Sequence, residues 1–150
     1  MRLIVPPPLQ AGVCAGGMWL VAKYVPEFAV DFQWNNYFTA FLVFIGVCID
    51  FSALAVFFRS KTTVSPIAPQ KTSRLVVSGI YKFSRNPMYL GLAFILSGFG
   101  FWLENLATFL FVPVFIWYVT RYQIIPEEEI LLEKFGLEYA DYVSKVRRWI

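Results

Sequence analysis

The sequence contains no histidine. That removes the side chain most often used as a general base near neutral pH, and the commonest metal ligand, so no metal centre is expected. Charge is also scarce. Asp, Glu, Lys and Arg make up 15% of the 150 residues, against 58% hydrophobic residues, where a soluble domain carries about 25% charged residues. The net charge of +3 is too small to argue for nucleic acid. There are two cysteines, Cys14 and Cys48, both in apolar stretches and without Cys-x-x-Cys spacing; they read as small hydrophobes. Strand–helix alternation and a glycine-rich loop after a strand are absent, which excludes a soluble dinucleotide-binding domain. A cleavable signal peptide is not expected either. The first apolar stretch has only Arg2 before it, then three prolines at Pro6 to Pro8, and no convincing small-residue cleavage site.

What remains is a positive mean hydropathy, +0.58, concentrated in four runs: Leu9 to Tyr24, Tyr37 to Phe58, Met88 to Leu103 and Leu106 to Tyr122. As helices these are roughly 24, 33, 24 and 25 Å long at 1.5 Å per residue, against a hydrocarbon core of about 30 Å. The fold class expected is an all-α membrane protein of four transmembrane helices forming a single domain. Only Glu104-Asn105 separates the third and fourth runs, which predicts a tight antiparallel hairpin. Span three carries a small-residue stripe at Ala93, Ser97 and Gly100, suited to close helix contact. Asp50 lies inside span two, where a carboxylate marks either a functional site or a polar bond to a neighbouring helix.

The basic residues orient the chain. Arg59, Lys61, Lys71, Arg74, Lys82 and Arg85 fall between spans two and three, and Lys134, Lys145, Arg147 and Arg148 fall after span four. By the positive-inside rule both termini and the central segment are cytoplasmic, in an inner or plasma membrane. After span four, Pro126 followed by Glu127, Glu128 and Glu129 reads as a helix start. An amphipathic helix on the membrane surface is expected to follow, broken at Gly136.

Two polar segments carry the chemistry. The first, "SGIYKFSRNPMYLG", has Gly79 for a tight turn that sets Tyr81, Asn86 as a helix cap and Pro87 as the first residue of span three. The second is "PEEE". Three adjacent carboxylates at an anionic membrane surface call for a cation nearby, with Arg121 as one source.

Taken together, "LVVSGIYKFSRNPMYLG" and "IIPEEEILLEKFGLEYADYVSKVRRWI" resemble the isoprenylcysteine carboxyl methyltransferase-like family of integral membrane methyltransferases, relatives of the phospholipid N-methyltransferases. The resemblance covers about residues 62 to 149. Residues 1 to 61 match only as two hydrophobic spans. It implies that S-adenosylmethionine is bound at the cytoplasmic face by Leu75, Val76, Gly79, Tyr81, Asn86, Pro87, Tyr89, Glu127 and Glu128. It also implies that a lipophilic acceptor enters from the bilayer among the membrane lipids. Asn86 departs from the family pattern, which has histidine there; an amide still hydrogen-bonds but does not titrate. A carboxylate acceptor needs orientation and not a base, which a chain without histidine can provide. Arg121 is the candidate to orient it, because a guanidinium holds a carboxylate in two hydrogen bonds. A phospholipid amine or a thiol is the alternative acceptor, and a four-span transporter or scaffold the non-enzymatic alternative. A transporter would place polar groups at mid-membrane and in an inverted repeat; this chain has Asp50 and no such repeat.

Overall fold

The computed structural model describes residues 5–59 and 75–150. Lys61, Lys71 and Arg74, together with the boundary between residues 61 and 62, lie outside the described residues.

Among the described residues, six α-helices follow one another: α1 Pro7–Tyr24, α2 Asn35–Arg59, α3 Pro87–Trp102, α4 Phe111–Val119, α5 Ile125–Phe135 and α6 Leu137–Lys145. Proline sets two of the starts. Pro7 and Pro87 each open a helix, where the missing N–H is not needed. A 3-10 turn at Pro26–Phe28 follows α1. Among the described residues, two helical stretches are long and apolar enough to cross a membrane, Asn35–Arg59 and the continuous Leu106–Phe135; α3 is apolar but has 16 residues. Only 11% of the most apolar window of α2 is buried within the protein. Its outward surface is therefore matched to lipid, since a soluble core helix would be covered.

The helices alternate in direction. At one end, Gln10 of α1 meets Gln123 beyond α4. At the other, the Asn105 side chain donates to the Val25 carbonyl and Asn35 donates to the Glu104 carboxylate. The α3–α4 connection is as tight as its sequence suggests. Glu104 adopts a positive φ of 51°, and Asn105 caps the next 3-10 turn by accepting from the Ala107 N–H.

The most extensive helix pairing joins α2 to α3, not α3 to α4. Gly91 and Gly98 make that approach possible, with Gly46 opposite. A Cβ on Gly46 would stand 2.6 Å from the Gly91 carbonyl oxygen, and one on Gly98 would stand 2.9 Å from Val43. Thr39 then donates across the seam to the Gly98 carbonyl at 3.0 Å. The expected stripe at Ala93, Ser97 and Gly100 serves differently. Ala93 lies in the main core with Met18, Leu96 and Phe115, Gly100 faces Met18 and Phe109, and Ser97 bonds back to its own helix. Cys48 is exposed on α2 and both cysteines are free, so only Cys14 shares the interior role read from the sequence.

Candidate functional site

The site forms where the start of α3 meets α5. Gly79 has φ +61° and begins a 3-10 turn, Gly79–Lys82, that buries Tyr81 to 6% exposure. The Tyr81 ring packs edge-on against Phe57 of α2, and Tyr142 of α6 donates to its carbonyl at 2.7 Å. Leu75 and Val76 are half-buried just upstream. Asn86 occupies the position before Pro87, but its side chain does not cap α3. Ser84, itself buried, accepts from the Asn86 N–H, which frees the Asn86 amide to donate to the Arg148 carbonyl at 3.1 Å.

The PEEE segment begins in the first turn of α5, as expected, but not at a free helix end. The chain passes from α4 into α5 through a π-helical turn at Thr120–Ile124, all in right-handed helical conformation, so no free helix end lies beside the glutamates. Their charges are held by side chains instead. The Tyr89 hydroxyl donates to Glu127 Oε1 at 3.0 Å, and Gln123 Nε2 donates to the same oxygen at 2.9 Å. Glu128 is clamped by two arginines. Arg148 reaches it through Nε (3.0 Å) and Nη2 (2.6 Å), and Arg85 through Nη2 (3.2 Å). Adjacent carboxylates therefore have different surroundings, one among neutral donors and one between cations. The paired form of Arg148 is favoured by its hydrogen bonds to Glu128, which raise its pKa. Burial pushes the Tyr81, Tyr139 and Tyr142 hydroxyls up, Tyr139 to about 12, so all three are neutral at ordinary pH.

Thus Tyr81, Asn86, Pro87, Tyr89, Glu127 and Glu128 come together near one end of the bundle. Arg121 is exposed on the π-helical turn and takes no part in the bonds that join Tyr89, Gln123 and Glu127. Asp50 packs against Gly91, with its Oδ1 buried and without a hydrogen-bond partner. Four residues were not singled out from the sequence as members of the site: Gln10, Gln123, Arg85 and Arg148. A signal existed for the glutamines, since an amide set in an apolar run has to find a partner inside the protein. Pairing of Arg85 and Arg148 depends on α6 folding back, because the Arg85 N–H donates to the Arg147 carbonyl and Trp149 packs on the main core.

The phospholipid methyltransferase family model matches residues 34–138, from the start of α2 to α6. The chain belongs to this family. The chain is 29% identical over 123 residues to the protein-S-isoprenylcysteine O-methyltransferase of Schizosaccharomyces pombe, covering 81% of this chain and 52% of that one. It is 32% identical over 117 residues to a probable protein-S-isoprenylcysteine O-methyltransferase of Oryza sativa, covering 77% and 61%. A protein of Haemophilus influenzae is 46% identical over 63 residues, which is 42% of this chain and all of that one. The chain thus spans between half and two thirds of the length of these two named methyltransferases. Helix α1 precedes the segment that defines the family.

Proposed function

We propose that this protein is an integral membrane methyltransferase that transfers a methyl group from S-adenosylmethionine to a lipophilic acceptor, most favourably a carboxylate. The observation that carries this reading is the union of the two polar segments: Tyr89 and Glu127, 38 residues apart in sequence, share a 3.0 Å hydrogen bond. Family membership and the names of the relatives support it. In the same reading residues 1–150 form one domain, with two spans before residue 62 and the cofactor-binding part after it. Helices α1, α2, α3 and the stretch from Leu106 to Tyr122 cross the bilayer, α5 and α6 lie along the cytoplasmic face, and both termini are cytoplasmic.

The residues present suit such a donor. It carries a carboxylate, an ammonium and ribose hydroxyls. Arg85 Nε and Nη1 are buried without hydrogen-bond partners and fit the carboxylate, while Glu127 fits the ammonium or a hydroxyl. When bound, the donor supplies an activated methyl, and the protein's part is to orient, to shield from water and to align the acceptor. Tyr81 and Tyr89 offer ring faces, and Gly79, Leu75 and Val76 offer backbone. Arg121 orients the acceptor carboxylate, which is already ionised and needs no base.

Equilibrium binding of S-adenosylmethionine and S-adenosylhomocysteine to the detergent-solubilised protein tests the reading; no binding of either would overturn it. Glu127→Ala removes the acceptor shared by Tyr89 and Gln123 and is expected to weaken binding ten- to a hundredfold, about 1.5–3 kcal/mol. Labelled methyl transfer to an S-prenylated cysteine and to phosphatidylethanolamine distinguishes the acid from the amine acceptor. Arg121→Lys keeps the charge and removes the fork, so turnover should fall while donor affinity holds. Undiminished turnover reduces Arg121 to a membrane anchor.

A further inference from the structure

Between α1, α2 and α3 lies an apolar cleft of about 490 Å³, within the roughly 300–1,000 Å³ usual for ligand pockets. Its floor includes Leu92 and Phe99 of α3, one wall includes Val43 of α2, and the other is made of Ala11, Gly12 and Ala15 of α1. That wall is built small. A Cβ on Gly12 would meet nothing within 4 Å. Gln10, one residue before this wall, is 7% exposed. Its Nε2 donates to the Val5 carbonyl at 2.8 Å and to Gln123 Oε1 at 3.3 Å, and Gln123 in turn donates to Glu127. Because the Val5 carbonyl and the Glu127 carboxylate only accept, this chain fixes the orientation of both amides. Gln10 Oε1 is left buried with no partner, a costly state that a ligand N–H or O–H would relieve.

We infer that α1 supplies the acceptor subsite, with the cleft holding one hydrocarbon chain of the methyl acceptor and Gln10 Oε1 receiving a hydrogen bond from its polar head. The inference rests on the methyltransferase reading and deepens it. Ala11 of the cleft wall follows Gln10 of the relay in sequence, and Leu92 in the floor is one helical turn beyond Tyr89, which bonds Glu127. A chain of about fifteen carbons, at roughly 30 Å³ each (about the liquid share of one water molecule), fills on the order of 450 Å³. Two acyl chains need roughly twice that or more. The cleft therefore holds one chain, and its α1 wall lies before the segment that the family model matches.

The test uses the full protein in lipid nanodiscs with S-adenosylhomocysteine present. Binding of S-farnesyl-N-acetylcysteine, of a lysophosphatidylethanolamine and of dioleoylphosphatidylethanolamine is measured against wild type, Gly12→Phe and Gln10→Leu. Gly12→Phe fills the cleft from a position with open space around it and should weaken single-chain binding tenfold or more. Gln10→Leu should weaken it several-fold. S-adenosylhomocysteine affinity serves as the control for folding. Single-chain binding that is undiminished in Gly12→Phe, or two-chain lipid binding as tight as single-chain, overturns the inference. Absence of S-adenosylhomocysteine binding in wild type, with chain binding still lost in Gly12→Phe, overturns the methyltransferase reading and leaves the cleft assignment standing.

Discussion

Helix α3 has two unlike neighbours. Toward α2 the contact is closed: Gly46, Gly91 and Gly98 bring the backbones together, and a cross-helix hydrogen bond from Thr39 locks the seam. Toward α1 the contact closes only where Met18 packs on Ala93, Leu96 and Gly100; beside it lies the cleft, and Gly12 and Gly16 have nothing within 4 Å of where a Cβ would stand. Glycine thus serves opposite ends on the two sides. On the α2 side it removes atoms so that two helices can touch, which drives association in lipid, where no hydrophobic effect acts between spans. On the α1 side it removes atoms without anything taking their place. The closed side is what a scaffold requires. The open side is what a lipid-facing binding region requires.

The sharpest way to break this contrast is to make one substitution on each side. Gly46→Ala places a methyl 2.6 Å from a backbone oxygen, which cannot rotate away. It should destabilise the protein by about 1–3 kcal/mol or more, read from unfolding in mixed detergent. Thr39→Val keeps the shape and deletes the seam hydrogen bond, with an expected loss of about 0.6–1.7 kcal/mol. Gly16→Ala on the open side should raise stability by about 0.5–1 kcal/mol, because it adds a helix-favouring residue without a clash. If Gly46→Ala and Gly16→Ala moved stability in the same direction by the same amount, the two faces would not differ as described.

Much of this architecture was legible in the sequence, and the parts that were not share a cause. Hydrophobic runs located the helices, Pro87 fixed the start of α3, and Gly79 announced the turn that buries Tyr81. Those features are local. The choice of α2 as the main partner of α3 depends on which glycine faces which helix. Ala93, Ser97 and Gly100 form an equally small stripe, yet Gly91 and Gly98 make the seam. Pro126 marked the first turn of α5 correctly but suggested a free helix end that is not there. Here the π-helical turn just before it widens the hydrogen-bond ladder, so a residue without an N–H sits inside a continuous helix. The positive charge for the glutamates was expected from Arg121 or from a bound cation. It comes from Arg85 and Arg148, which only the return of the chain after α6 brings into reach.

The site is also stitched over long distances along the chain. Gln10 and Gln123 are 113 residues apart, and Asn86 and Arg148 are 62 apart. During synthesis, α1 enters the membrane before Gln123 exists to meet Gln10, and Asn86 likewise precedes Arg148. The first bond cannot close until Gln123 has left the ribosome, nor the second until Arg148 has, seconds later at about 5–20 residues per second. Assembly of the pocket is therefore a late event in biogenesis, separate from insertion of the helices, and ligand binding would report that translation has run through the final turn of the fold.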